Sequence, residues 1–208
     1  MSDALNYLIA ARPDAITPYF KFLKEAGKHL DTRTRDLISI ITKVDAQTEP
    51  GFRQYLTRAL RNGASANEVL DALLMAFPTL GLAKIVWAID ILLDMDIPEF
   101  HPEQLDAEPR WHAVAAIDDL SSGEISYRDC DGRSLFIYRN GDALRVYDSR
   151  CPHQVTNIPH LALDGTRLTC PKHNWAFDVA TGECVEVGNR PLNQFEHKIE
   201  GDQLLAFW

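Results

Sequence analysis

Residues 1–129 contain no cysteine, so the first half of this 208-residue chain can carry no thiol chemistry. Basic residues are also scarce: 21 Lys and Arg stand against 30 Asp and Glu, for a net charge of −9. The deficit is shared, since residues 1–109 carry 11 basic and 16 acidic groups and residues 110–208 carry 10 and 14. Neither half is a basic module, which argues against nucleic acid as a partner. No uninterrupted membrane-length apolar run occurs. The longest apolar stretch, Leu73 to Leu93, is broken by Pro78, Lys84 and Asp90 and reads as buried helix, so no membrane partner is expected. The N-terminus, MSDALNYLIAARPD, lacks the basic and apolar regions of a signal peptide, which leads us to expect a cytoplasmic protein with reduced thiols. Also missing are a nicotinamide or flavin fingerprint and a mononuclear-iron motif. What remains, 46% apolar and 25% charged residues, is the composition of a folded globular protein.

Two periodicities divide the chain. Residues 1–97 read as an all-α domain without strands. Tyr19, Phe20, Phe22, Leu23, Ala26 and Leu30 recur at helical spacing. Asp31 is placed to cap a helix carrying Leu37, Ile38, Ile40 and Ile41. Gly63 ends the next helix, and Ser65-Ala-Asn-Glu68 has the form of a capping box. Pro78 is expected to break the helix that follows, and Leu82 to Leu93 to resume the pattern. Such short amphipathic helices must bury their stripes on each other or on another subunit. Residues 98–109 read as a linker, because the stretch 96–110 holds three prolines and five acids. From 110 to 208 the period falls to two, and the domain is read as an all-β sandwich or barrel. Asp131-Gly132 and Asn140-Gly141 are hairpin signals, the second pairing Leu135 and Ile137 with Leu144 and Val146.

The four cysteines are Cys130, Cys151, Cys170 and Cys184. Two belong to boxes, Cys151-Pro152-His153 and Cys170-Pro171-Lys172-His173, with sixteen residues between His153 and Cys170. Each box puts one sulfur and one ring nitrogen on a short loop that its proline stiffens. Three readings are open: four unrelated side chains, a tetrahedral structural zinc, or a [2Fe–2S] cluster. Zinc accepts two sulfurs and two nitrogens, but zinc fingers usually pair like with like within a box. A cluster with both cysteines on one iron and both histidines on the other needs one of each from each loop. Cys130 and Cys184 read as small buried apolar residues.

CPHQ followed by CPKHNWAFDVATGE resembles the cluster loops of Rieske ferredoxins and of the Rieske domains of ring-hydroxylating oxygenases. The resemblance covers residues 110–208. It implies that Cys151, His153, Cys170 and His173 hold a [2Fe–2S] cluster, with the histidines as the exit for single electrons. Trp175 is expected to shield the cluster. Thr156 and Lys172 stand where respiratory members carry an extra cysteine pair, and Trp175 where they carry a hydrogen-bonding serine. Fewer donors to the sulfurs imply a potential low in the Rieske range of roughly −150 to +300 mV. Asn174 replaces a glycine and is suited to positive φ.

LDTRTRDLISIITKV and RALRNGASANEVLDALLMAFPTLG resemble the carboxymuconolactone decarboxylase-like family. That resemblance implies assembly through the helices. Thr48, Gly51 and Tyr55 occupy the places of the Cys-x-x-Cys-x-x-x-His set of thiol peroxidase members, so that chemistry is absent. Asp36, at the place of a family carboxylate, reads by itself as a first-turn helix charge. Together the resemblances imply a soluble, oligomeric electron-transfer protein between a flavin-dependent reductase and a terminal oxygenase or other redox protein. Two alternatives stand beside it. One is an enzyme whose helical domain transforms a small molecule with electrons from the cluster, for which Tyr55, Asp36, Trp87 and His29 are available. The other is a redox-sensing regulatory module.

Overall fold

A computed structural model describes residues 3–208. Six helices come first: α1 (Asp3–Ala11), α2 (Pro13–Ala26), α3 (Thr32–Asp45), α4 (Glu49–Arg61), α5 (Ala66–Leu80) and α6 (Leu82–Met95). Their ends are set by side chains. Asp31 accepts the Thr34 amide at 2.9 Å, which fixes the start of α3. The Ser65–Glu68 capping box is complete: Ser65 Oγ accepts the Glu68 amide at 3.1 Å and Glu68 accepts the Ser65 amide at 2.9 Å. Pro78, expected to break α5, instead lies inside its last turn. Having no amide hydrogen, Pro78 cannot donate the helical bond to the Leu74 carbonyl, yet the helix runs on to Leu80, and Gly81, at φ 80°, makes the actual stop.

Helices α3 to α6 bury Ile40, Val44, Phe52, Leu56, Val69, Leu73, Ile85, Ala88 and Leu92 in one core. Helix α2 contributes nothing to it: none of its residues is buried, and Tyr19, Phe22 and Leu23 are exposed. The stretch expected to be a linker is structured. Two short 3-10 turns, Pro98–Phe100 and Pro102–Gln104, carry it over the helical core, where Ile97 and Phe100 are buried. Those two apolar residues anchor a segment whose acids remain mostly at the surface.

The second half forms three sheets from ten strands. They are β1 (Trp111–Ala116), β2 (Ile125–Cys130), β3 (Arg133–Asn140), β4 (Ala143–Asp148), β5 (Leu163–Asp164), β6 (Arg167–Thr169), β7 (Ala176–Asp178), β8 (Cys184–Glu186), β9 (Glu196–Glu200) and β10 (Gln203–Phe207). Their orders are β1-β10-β9, β2-β3-β4 and β5-β6-β7-β8. The β2–β3 turn is Asp131-Gly132, with both residues at positive φ as a type I′ turn requires. The β3–β4 turn sits one residue later than the Asn140-Gly141 signal: Asn140 pairs with Ala143, leaving Gly141-Asp142 at the tip. Ile137 therefore faces Val146, and Leu135 faces Asp148 rather than Val146. The register moves by two, so every side chain keeps its face, and Leu135, Ile137 and Val146 remain buried.

Candidate functional site: two twin loops

The first box opens the loop after β4, and the second spans the β6–β7 turn. Their backbones are closed identically. The Cys151 amide donates to Thr156 O at 2.8 Å and the Val155 amide returns to Cys151 O at 2.9 Å. The Cys170 amide donates to Trp175 O at 2.8 Å and the Asn174 amide returns to Cys170 O at 2.9 Å. In both loops the fourth residue after the cysteine is left-handed, Val155 at φ 49° and Asn174 at φ 57°. Asn tolerates that conformation, whereas a β-branched residue is strained in it. Val155 is held there by its packing against the helical core.

This shared geometry turns the sulfurs inward and the rings outward. Cys151 and Cys170 are each 1% exposed, while His153 and His173 are half-exposed. The sulfurs are in hydrogen-bond contact: the Cys151 thiol donates to Cys170, which draws the Cys170 pKa down to about 6 and pushes that of Cys151 up. The two imidazoles meet edge to face with centroids 4.5 Å apart. Burial, helped by the neighbouring His173, lowers the His153 pKa to about 4 and keeps the ring neutral and able to ligate. His153 Nδ1 is buried with no hydrogen-bond partner.

The donor set fits a two-iron group better than one ion. Ligand atoms on a single zinc lie within about 4.6 Å of one another, given Zn–S and Zn–N bonds of about 2.3 and 2.0 Å. Among the described residues no three of the four box side chains bring their ligand atoms within 4.8 Å of one another. The arrangement is one sulfur pair and one imidazole pair, plus an orphaned ring nitrogen that lacks only a ligand.

Trp175 is 7% exposed and stacks on His153, at 8° and 4.8 Å between centroids. Arg190 lies over the indole at 5.2 Å and donates to Pro152 O at 2.9 Å. Gly188 leaves the room the indole occupies, since a Cβ there would fall 2.2 Å from the ring. Gly188, Arg190 and Val155 had no reading in sequence. Val155 could have been found by aligning the boxes on their cysteines, but the other two bear no local signal. The first loop is also tied to the helical half. Arg150 donates to Val155 O at 3.2 Å, to Met95 O at 3.3 Å and to Asp96 O.

Cys130 and Cys184, expected to be buried, are half-exposed and lie outside the twin loops. Cys130 lies beside a His112–Asp131 hydrogen bond of 2.6 Å, and these three are the described residues whose ligand atoms do cluster within 4.8 Å. In the helical half, Thr48 precedes α4 at its N-cap position without a side-chain hydrogen bond to it, and Gly51 and Tyr55 follow within the helix. Asp36 is no first-turn surface charge: it is fully buried and accepts from Arg58 and, at 2.6 Å, from Asn62 Nδ2. Tyr55 covers Arg58 at 4.3 Å, Trp87 packs edge-on against Phe52, and His29 is exposed and apart from them. The polar atoms of Asp36 are thus engaged internally.

Comparison with known proteins finds a family for each half of the chain. A Rieske [2Fe-2S] domain model matches residues 110–196, and a carboxymuconolactone decarboxylase family model matches residues 13–94. The ferredoxin component of an alkene monooxygenase system from Xanthobacter autotrophicus is 33% identical over 53% of this chain and 90% of its own length. Ferredoxin CarAc of Metapseudomonas resinovorans is 32% identical over 46% of this chain and 92% of its own. The ferredoxin component of a naphthalene 1,2-dioxygenase system from Pseudomonas aeruginosa is 26% identical over 46% and 93%. With two relatives above 30% identity covered for nine-tenths of their length, the chain belongs to the Rieske [2Fe–2S] ferredoxin family, its cluster domain preceded by a carboxymuconolactone decarboxylase family domain.

Proposed function

We propose that this protein is a one-electron carrier in which Cys151 and Cys170 hold one iron of the [2Fe–2S] cluster and His153 and His173 the other. When bound, the cluster supplies a one-electron couple. The observation carrying the assignment is the segregation of the four donors into a buried sulfur pair and a half-exposed imidazole pair. The two histidine rings are the groups through which a partner would meet the redox centre. Trp175, stacked on His153, keeps water from that side of the pocket, and Arg190 locks the indole against the first loop. The partner we expect on the accepting side is an oxygenase or similar redox protein, in line with the monooxygenase and dioxygenase systems named for two of the ferredoxin relatives, and on the donating side a flavin-dependent reductase. No helix of the described residues is long and apolar enough to cross a membrane, and we assign the protein to the cytoplasm.

For the helical half we propose assembly. Tyr7, Phe22, Leu74, Met75, Leu82 and Leu93 are all more than 60% exposed, a density of large apolar groups that suits coverage by a second copy.

Anaerobic purification with iron and sulfide analysis and EPR tests the assignment. The expectation is two irons and two sulfides per chain and a low average g value. Replacing His153 or His173 by Asn, or either box cysteine by Ser, should remove that signal and leave the helical circular dichroism unchanged. A single bound zinc, or a full cluster signal in Cys151→Ser, refutes it.

A further inference from the structure

Away from the cluster loops, a second set of ligating side chains converges. His112, Cys130 and Asp131 bring a ring nitrogen, a sulfur and a carboxylate oxygen within 4.8 Å of one another, a limit that no three of the box side chains meet. Rigid elements hold them there. His112 lies in β1 opposite Ala206, is 6% exposed, and stacks on Trp208 at 3° and 4.0 Å between centroids. Cys130 ends β2, paired with Arg133, and Asp131 opens the turn that follows, at φ 47°. Donors carried on strands and a tight turn are positioned before any ion arrives.

Their contacts are weak or exchangeable. The Cys130 thiol reaches Ala113 O at 3.5 Å. His112 Nδ1 and Asp131 Oδ2 are hydrogen-bonded at 2.6 Å. Tetrahedral zinc, with bonds of about 2.3 Å to sulfur and about 2.0–2.2 Å to nitrogen and oxygen, sets its donors about 3.3–3.7 Å apart. The imidazole and the carboxylate need separate by only about 0.7 Å to admit the ion. Asp131 is half-exposed and free to make that movement. Arg110, 3.8 Å from the same carboxylate, is 71% exposed and can turn into solvent. A cleft of about 510 Å³ runs past the site, lined in part by His112 and Asp131. Glu99, Glu103, Glu108 and Asp131 stand in it against Arg110 and Arg133, a surplus of two negative charges that draws cations.

We propose that His112, Cys130 and Asp131 bind a zinc ion, with water from the cleft in the fourth position. One thiolate, one imidazole and one carboxylate form a donor set that zinc accepts, whereas magnesium and calcium require oxygen ligands. Three protein donors and a water leave a position that a substrate oxygen can enter, unlike a closed structural site. The site shares no residue with the cluster loops and does not rest on the electron-carrier reading.

Equilibrium dialysis of the cluster-loaded protein against zinc chloride, followed by metal analysis, tests this. One zinc per chain should bind while both irons stay. X-ray absorption at the zinc edge should show one sulfur at about 2.3 Å and the remaining donors, nitrogen and oxygen, at about 2.0–2.2 Å. A large excess of magnesium should not displace the ion. Cys130→Ser, His112→Gln and Asp131→Asn should each weaken binding by at least about tenfold, since losing even an outer partner of a metal ligand costs about ten- to a hundredfold. Cys184→Ser, at the other half-exposed cysteine, should leave binding unchanged. Should His112→Gln disturb the β1–β10 pairing, Cys130→Ser, a change of similar size at a strand end, decides the matter. No zinc retained, two sulfurs around it, displacement by magnesium, or undiminished binding in Cys130→Ser overturns the proposal. Iron is counted in the same samples, so a chain that never acquires iron counts against the electron-carrier reading, and the difference between the natural chain and Cys130→Ser still decides the zinc site.

Discussion

Replacing Gly188 by Ala is the sharpest local perturbation of the cluster pocket. The added Cβ would lie 2.2, 2.3 and 2.5 Å from three carbons of the Trp175 ring. Carbon atoms in ordinary contact are about 3.5–4.0 Å apart, so the indole or the chain must move by about 1–1.5 Å. The ring has little freedom to move: it is stacked on His153, overlain by Arg190 and 6.4 Å between centroids from Phe177. Overpacking of this kind costs about 1–3 kcal/mol. At about 2–4 °C per kcal/mol for a chain of this size, thermal unfolding should fall by about 2–12 °C. Displacement of the indole also disturbs the His153 stack, so the EPR g values of the loaded protein should shift in the same variant. Differential scanning calorimetry and EPR, run on Gly188→Ala, Trp175→Ala and the double variant, complete a cycle. In the Trp175→Ala background the Gly188→Ala substitution should cost almost nothing, because the ring it strikes has gone. Equal losses in both backgrounds, or a native melting point in the single variant, would refute the steric reasoning.

Asp36→Ala removes the buried acceptor of Arg58 and Asn62 and leaves a guanidinium that is still one-third exposed. Breaking a fully buried pair costs about 3–5 kcal/mol, and the exposure of Arg58 reduces this to about 2–3 kcal/mol, a melting decrease of about 4–12 °C that calorimetry would detect. The Asp31 carboxylate is held below the usual carboxylate range by the hydroxyl and amide of Thr34. A depressed folded pKa means stability that is present above about pH 4 and lost as pH falls through the folded value. Helicity of α3, followed by hydrogen exchange of its first-turn amides, should therefore decline on acidification below that pH, and Asp31→Asn should flatten the dependence.

The fold was most legible where local chemistry decides it. Asp31, Ser65 and Glu68 mark helix starts because an exposed amide needs an acceptor wherever the chain goes next. Asp131-Gly132 marks a hairpin because both residues accept positive φ. Misreadings arose where tertiary packing prevails. Pro78 forgoes one helical hydrogen bond, yet α5 continues through it to Leu80. The 96–110 stretch reads as a linker by its prolines and acids, yet Ile97 and Phe100 pin it to the helical core. Asp36 looks like a surface charge until α4 delivers Arg58 and Asn62 from 22 and 26 residues away.

The convergence of the two boxes was legible for a different reason: each loop is short enough that its own spacing determines what it presents. Equal spacing from each cysteine to the left-handed residue lets two loops of unlike sequence close with the same pair of backbone hydrogen bonds. Asn174 meets that demand with its own conformational preference. Val155 does not, and it adopts positive φ beneath the helical core and the Arg150 guanidinium. The two boxes are therefore twins in backbone but not in support. The second loop is closed by its own residues. The first depends on Arg150, which reaches back to the carbonyls at the end of α6, so the helical half takes part in shaping one side of the redox pocket. That dependence gives a physical role to joining the two domains in one chain.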